Sequence, residues 1–458
     1  MDSDQKIATV PLTTFLKHSF KIVKNPLPFH HKNFEEKGDI FCLNLGFITK
    51  VYFCRDANFA EYVLQKNQKN YTKSKIQTKD LVKYVGKGLL TSEGEHWRKQ
   101  RKLIQPAFHK KHLETLLDTI QTAIQFEYQN ITENETLDIF PNITENETLD
   151  IFPILNNLAF QTVVKSLFSS AVDQDQIARL QYITEAAQKM LVKELRQPYL
   201  RWWFNFNGTI KKYIDLTLEA RQMLKQIVKQ RQESGTRQGD LLDLLLEAQY
   251  DDGSSMEEEQ LIDEILILFT AGHETTSNAL TFTFQLLAQH PEWQDKIYDE
   301  ISQVNAQTTH LMERVMASRV CQQVIEESMR LYPPAYFLDR VNKTNDSFNG
   351  FEFKAGSNLL FSVFEIHRHS KYWDDPDKFL PERFADGSRT YSSHYFPFGA
   401  GPRKCIGNNF AMFEMIIAVR ELISNYYIKA EFEEIDMTPL ITLKPKNALL
   451  RFKPRDVN

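Results

Sequence analysis

One stretch near the end of the chain constrains it more than any other: Phe398-Gly399-Ala400-Gly401-Pro402-Arg403-Lys404-Cys405-Ile406-Gly407. A cysteine thiolate that ligates iron needs backbone N–H groups aimed at its sulfur, and glycines let the backbone come close with no side chain in the way. An arginine beside such a site can neutralise an acidic group of the ligand, and an aromatic ring can shield the sulfur from water. All of these elements surround Cys405. The bland alternative for a lone cysteine is a buried structural thiol, which leaves the glycines, Arg403 and Phe398 unexplained.

The other cysteines, Cys42, Cys54 and Cys321, show no CxxC or Cys/His zinc spacing, and four cysteines in 458 residues make no disulfide scaffold. Reduced thiols in a cytoplasmic protein are expected. With 55 Lys+Arg against 60 Asp+Glu, the formal charge of −5 argues against a nucleic-acid binder with a strongly basic surface, although local basic patches remain possible. No stretch reaches the roughly 18 consecutive apolar residues of a membrane span, and the first residues lack the features of a signal peptide. A soluble monomer is the expectation. Asn130, Asn142 and Asn207 head Asn-x-Ser/Thr sequons, which carry no weight without a secretion signal.

The pattern reads as mainly α with small β-sheets, in one large domain over 1–458. Apolar residues alternate on either side of Gly46 over 39–54 and predict a hairpin, followed by a short helix over 57–65. Residues 92–108 predict a basic helix capped by Ser92 and stopped by Pro106, and 112–129 a second amphipathic helix. A tandem repeat follows, in which 130–141 (NITENETLDIFP) is copied as 142–153. Solenoids need about three copies of about 20 to 50 residues, so this is a local duplication or an error of copying, expected as a surface loop. The second copy leads into an apolar helix at 154–168, which marks the first copy as the extra one. Residues 173–247 predict helices that carry the aromatic cluster Arg201-Trp202-Trp203-Phe204-Asn205-Phe206, expected in the core. The longest helix spans 256–290, and Pro291 opens the next.

The decapeptide resembles the signature of the cytochrome P450 family, Phe-x-x-Gly-x-Arg-x-Cys-x-Gly, matched by Phe398, Gly401, Arg403, Cys405 and Gly407. The resemblance implies the P450 fold, haem b as cofactor, Cys405 as proximal iron ligand and Arg403 as a propionate partner. Within the longest helix, Ala271-Gly272-His273-Glu274-Thr275-Thr276 violates local propensity, since an interior Gly costs about 1 kcal/mol relative to Ala and Thr is a mediocre helix former. A small polar helix–helix contact would explain it blandly. Chemically, Gly272 gives space above a flat cofactor, and Glu274 and Thr275 form an acid–alcohol pair able to relay protons. The motif is similar to the family's oxygen-activation helix. Carried over, Thr275 would hydrogen-bond the dioxygen or its water and Glu274 would help deliver protons.

Glu327-Ser328-Met329-Arg330, then Tyr332-Pro333-Pro334, and Arg383 in Pro381-Glu382-Arg383-Phe384 resemble the family's buried Glu-Arg-Arg set, a structural lock on the haem-binding core. Taken alone, Glu-x-x-Arg is common on solvated helices. Trp97 and Arg101, four apart on one face, resemble a propionate-binding pair; a solvated basic face with a tryptophan anchor is the alternative. Arg340 resembles a further propionate contact. The resemblance covers almost the whole chain, and the duplication is its one departure.

The implied reaction inserts one atom of O2 into a C–H bond of a small-molecule substrate. Attack on a methyl ether carbon, as in a methylated sugar, would instead release formaldehyde. Electrons are expected from NAD(P)H through a separate reductase and a ferredoxin or flavodoxin, because no flavin- or NADPH-binding segment follows Cys405. Lys99, Lys102, Lys110, Lys111, Arg403 and Lys404 could form the docking surface. A peroxide-driven peroxygenase and a non-catalytic haem-thiolate sensor or carrier are the rivals; both leave the Glu274–Thr275 pair without purpose. The substrate pocket is expected from 71–90, 180–206, Leu268, Ala271, Thr275, Ala335, Tyr336, Phe337 and Leu338. Its apolar members slightly favour a fatty acid, terpenoid or carotenoid, while Lys73, Lys75, Gln77, Lys79 and Asp80 leave room for a polar substrate.

Overall fold

The computed structural model describes residues 6–44, 50–132, 148–169, 171–388 and 392–455. It is mostly helical with small sheets, and it divides into two compact units. One comprises Met1–Lys75, Glu326–Cys405 and Met437–Lys444; the other comprises Ile76–Ile325, Ile406–Asp436 and Pro445–Asn458.

The first unit is organised by a six-stranded sheet. Strands Ile40–Asn44 and Lys50–Cys54 pair antiparallel, with Phe41 opposite Phe53, as the alternation predicts; the expected turn at Gly46 lies outside the described residues. Lys50–Cys54 then runs parallel to Asn358–Ser362, which pairs antiparallel with Phe337–Asn342. Because side chains alternate along a strand, each strand feeds two cores. Phe41, Leu43, Phe53 and Phe337 join one with Val10 and Phe34, while Ile40, Cys54, Leu338, Leu359 and Phe361 join the other with Phe59 and Val63. The predicted helix after the hairpin is α-helical over Ala57–Glu61 and widens to a π-turn over Tyr62–Lys66. Asp346 ties this segment down, accepting hydrogen bonds from Tyr62 (3.0 Å), Asn67 (2.8 Å) and Tyr71 (2.7 Å).

In the second unit the long helix Glu258–Gln289 packs along the apolar helix Ile151–Phe168. Both faces of the long helix are buried from Thr276 to Ala288, which is why its sequence there has lost helical amphipathicity. The next helix, Pro291–Gln307, begins with its proline at the first position, where no backbone N–H is missed.

Three expectations are corrected. Ser92 does not cap the basic helix, which is Gly94–Ile104; its hydroxyl donates to the Gly88 carbonyl (2.7 Å), and Glu93 occupies the cap position. The aromatic cluster is not core: Trp202, Trp203 and Phe206 are 67, 44 and 80% exposed, and only Phe204 turns inward, under the Lys193 ammonium. Six residues make less than two helical turns, so one face of Arg201–Phe206 can meet the unit while the other points out. Finally, the duplicated segment is not all loop. Asn130–Thr132 belongs to the end of helix Lys110–Thr132, and Thr148–Asp150 forms a strand on Leu449–Arg451. Asp150 then caps Ile151–Phe168 by accepting from the Phe152 N–H (3.1 Å), with Ile151 fully buried.

Removing either twelve-residue copy gives the same chain, with one helix end, one Thr-Leu-Asp strand and one capped helix start. A chain lacking 130–141 should keep its melting temperature within about 3 °C, because shortening the connection changes closure entropy by only about 1 to 1.5 kcal/mol against the large unfolding entropy of a chain this long. A larger loss in a thermal scan would show that the extra copy contributes structure.

Candidate active site

Cys405 ends a loop whose course is set by its backbone. The Cys405 N–H donates to the Phe398 carbonyl (2.9 Å), Lys404 N–H to Gly401 (3.0 Å) and Gly399 N–H to Phe396 (3.0 Å). Gly399 and Gly401 both have φ +68°, in the left-handed region. Gly401 is doubly required, since a Cβ there would fall on the Leu64 carbonyl of the π-turn. Gly407 is not: its φ is −89° and a Cβ would meet only the Phe108 ring, at 3.9 Å. Of the four cysteines Cys405 alone is exposed. Burial pushes the thiols of Cys42, Cys54 and Cys321 up, away from the thiolate that ligates metals.

Upstream lies the charge set. Glu327 and Arg330, both fully buried, form a two-bond pair (Nε to Oε2 2.7 Å, Nη2 to Oε1 2.9 Å), and Arg383 approaches Glu327 at 3.4 Å. The remaining donors of Arg330 go to the carbonyls of His367 and Pro376 (both 2.7 Å) and Lys378 (3.0 Å), over the face of Trp373. The Glu327 carboxylate also accepts the Leu380 N–H (2.8 Å). The bland reading, a solvated helix pair, is excluded by the burial.

His367 was not singled out by its sequence. Its Nε2 accepts from the Phe396 N–H (2.8 Å), so its proton sits on Nδ1, facing the Arg330 carbonyl at 3.2 Å. Burial and the Arg330 charge push its pKa well below the ordinary value, and it remains a neutral strut between the charge set and the start of the cysteine loop. Only its place in Glu365-Ile366-His367, after an apolar strand, could have hinted at it. Arg340 lies in strand Phe337–Asn342, opposite Leu359, with Nη1 on the Asp339 carbonyl (2.7 Å). Arg403 lies in the short turn Gly401–Arg403.

In the second unit the motif of the long helix is helical throughout. Thr275 Oγ1 donates to the Ala271 carbonyl (2.7 Å) and Thr276 Oγ1 to Gly272 (2.9 Å), while the buried His273 places Nδ1 2.6 Å from the Phe269 carbonyl. Gly272 also has a packing reason: a Cβ there would lie 3.0 Å from Val163, so this glycine serves the close approach of Ile151–Phe168. Ala271 is exposed, between the half-buried Thr270 and Gly272. Trp97 and Arg101 lie half-buried on helix Gly94–Ile104, with Arg101 Nε on Gln105 (3.0 Å).

Among the expected pocket residues, Leu268 and Ala335 are half-buried. Tyr336 is buried with its hydroxyl on the Leu440 carbonyl (2.7 Å), Phe337 stands against His30 (5.4 Å) and Phe53 (6.1 Å), and Leu338 packs into the opposite sheet core. The strand's alternation commits Phe337 and Leu338 to opposite faces of the sheet. The other apolar segments do meet: Leu81, Tyr84, Val85 and Leu90, then Met190, Leu191 and Phe204, and Ile267 form one cluster. A clamp holds this loop to the long helix. Asp263 accepts the Lys87 N–H (2.6 Å) and Glu264 the Leu89 N–H (3.0 Å), and the carboxyls occupy the space that Cβ atoms would need at Gly86 and Gly88. Burial raises the Glu264 carboxyl from 4.5 to about 7. Two acids inside an apolar helical run were the available signal.

Within the first unit the chemistry suits a haem thiolate: one exposed thiol ends a tightly turned loop, with the Arg403 guanidinium two residues before it. The family model described as Cytochrome P450 matches residues 9–452, and the chain belongs to that family. It is a monooxygenase, and family membership brings haem-thiolate chemistry and use of O2. Similar proteins include the LUTEIN DEFICIENT 5 protein, chloroplastic, of Arabidopsis thaliana, 30% identical over 99% of this chain and 79% of that protein. The cyclooctat-9-en-7-ol 5-monooxygenase of Streptomyces melanosporofaciens is 27% identical over 92% of this chain and 88% of its own. The fold is that of the retinoic acid-bound cyanobacterial CYP120A1, with a TM-score of 0.81, 24% identity and 96% of each chain covered.

Gly401→Ala is expected to cut the haem content of purified protein several-fold and Gly407→Ala to leave it near wild type, read by absorbance ratio; equal effects would mean that the Leu64 contact is not what selects glycine. A second prediction concerns pH. The folded state keeps Glu264 protonated up to about 7. Between that pH and the lower pKa of the unfolded chain only the unfolded state ionises, so stability falls as pH rises through this window and levels off above it. Glu264→Gln should flatten this slope, worth on the order of 1 to 3 kcal/mol, in urea titrations across the window. An unchanged slope would show Glu264 ionised in the fold.

Proposed function

We propose that this chain hydroxylates an apolar small molecule, of fatty acid, terpenoid or carotenoid type, using O2 and electrons from NAD(P)H delivered by a separate reductase and a ferredoxin or flavodoxin. In this reading the two units act as one haem domain. Cys405 ligates the iron, and Arg403, Arg340, Arg101 and Trp97 hold the propionates. Haem, when bound, supplies the capacity to activate O2 and insert one of its atoms into a C–H bond. Glu274 and Thr275 move protons, and Ala271 leaves room beside them. The bulky cluster from Leu81 to Ile267 excludes water.

The observation that carries the apolar substrate is what happens to the charges nearby. Asp80 pairs with Arg201, and the fully buried Glu194 side chain takes Lys83 (2.8 Å), Arg201 (3.0 Å) and the Tyr84 hydroxyl. These charges satisfy one another, and the apolar cluster beside them offers a ligand hydrocarbon, while Lys75 and Lys79 of the same loop are exposed. The names of relatives point the same way: pentalenene oxygenase and the cyclooctat-9-en-7-ol monooxygenase both belong to Streptomyces and act on terpenoids. For the redox partner, Lys99, Lys102, Lys110 and Lys111 are exposed, but Lys102 is paired with Asp251 (2.6 Å) and Asp252 feels Lys99. Exposed pairs of this kind are worth at most about 1 kcal/mol, so an acidic partner can displace them.

Titration of the ferric protein with long-chain fatty acids, terpenes and methylated sugars tests the substrate class. The apolar ligands should shift the Soret band at micromolar concentrations and the sugars should not; the reverse pattern would establish the demethylase reading. With a bound substrate, Thr275→Ala should uncouple NAD(P)H consumption from product by about tenfold or more while leaving the binding shift intact.

A further inference from the structure

The first helix, Leu12–Lys24, buries none of its residues. One side rests on the first unit, with Phe15 against the Val10–Phe34–Phe41 core and the His18 ring 5.9 Å from Phe29. A second side is apolar and faces out: Leu16, Phe20 and Val23 are 57, 92 and 49% exposed. Their spacing of four and then three residues puts them on one stripe. Lys17, Lys21 and Lys24 repeat that spacing one position on, about 100° around the helix. The helix contains no Asp or Glu, and among the described residues none of the three lysines forms an ion pair.

We propose that this helix is a docking element for an anionic lipid surface, lying flat with Leu16, Phe20 and Val23 in the headgroup region and the lysines against lipid phosphates. Size and charge select the occupant. Three side chains supply far less than the roughly 800 Å² per partner of a stable protein interface. An interfacial helix needs only a short apolar stripe, supplemented by about 1 kcal/mol for each lysine near an anionic surface. The chain as a whole carries −5, so an anionic membrane repels it except where a cationic stripe is presented, and on this helix that stripe runs beside exposed apolar side chains. No helix among the described residues is long and apolar enough to cross a membrane, and the attachment is peripheral and salt-sensitive.

Flotation of the purified haem-loaded protein with phosphatidylcholine vesicles, with and without phosphatidylglycerol, provides the test. The protein should float with the anionic vesicles at low salt, and much less with neutral ones or at high salt. Phe20→Glu, and separately the pair Lys17→Glu and Lys21→Glu, should lower binding about tenfold or more while the far-ultraviolet spectrum and haem content stay as in the wild type. Absence of flotation with anionic vesicles overturns the proposal. So does undiminished flotation of both variants, which would place attachment elsewhere, for instance at the exposed Trp202 and Phe206. Self-association in sedimentation that Phe20→Glu abolishes, without lipid binding, would make a second copy the occupant instead. The fate of the substrate reading does not enter any of these outcomes.

Discussion

The buried Glu327–Arg330 pair is the interaction on which the first unit depends. Two full charges without solvent are tolerable only if every remaining donor and acceptor is met, and removing one partner of such a pair costs on the order of 3 to 5 kcal/mol. The requirement is met by backbone, through the carbonyls of His367, Pro376 and Lys378 and the N–H of Leu380. A stretch of chain with little regular structure is thereby pinned at four points. His367 transmits the order onward, reading the Arg330 carbonyl with one ring nitrogen and holding Phe396 with the other. The cysteine loop therefore starts from a fixed residue, and its left-handed glycines carry it to Cys405.

In the second unit the organising constraint is the number of hydroxyls inside a long buried helix. Thr270, Thr275, Thr276, Thr281 and Thr283 each donate to the carbonyl four residues earlier. A buried hydroxyl without a partner would be costly, and this local bond satisfies it. The hydroxyls are thus satisfied within the helix itself, while the low helix propensity of the segment is left for packing to offset.

Much of this was legible in the sequence, and what was not shares a cause. The hairpin strands and the long helix follow from alternation and spacing, which are local, whereas the charge set was legible only through the family resemblance. The errors are questions of what lies opposite. No pattern in Arg201–Phe206 says which side of a short helix faces the unit. Gly272 has a packing reason in Val163, more than a hundred positions away, and Gly86 and Gly88 have theirs in two carboxyls on another helix. Phe337 and Leu338 pack against cores on opposite faces of the sheet, which no local pattern announces. The repeat misled for the opposite reason, since identical copies gave no sign that the last residues of the second would be a strand and a helix cap.

The Thr275 hydroxyl has a directional consequence. An alcohol has one hydrogen to give and two lone pairs to receive, and here the hydrogen is committed to Ala271. Toward anything beside the helix, Thr275 therefore presents itself as an acceptor. A water or an acid can give it a proton, whereas an oxygen seeking one must first break the bond to Ala271. In the role proposed for Thr275, the helix backbone is therefore a competitor for that hydrogen, and a turn about one side-chain torsion would release it.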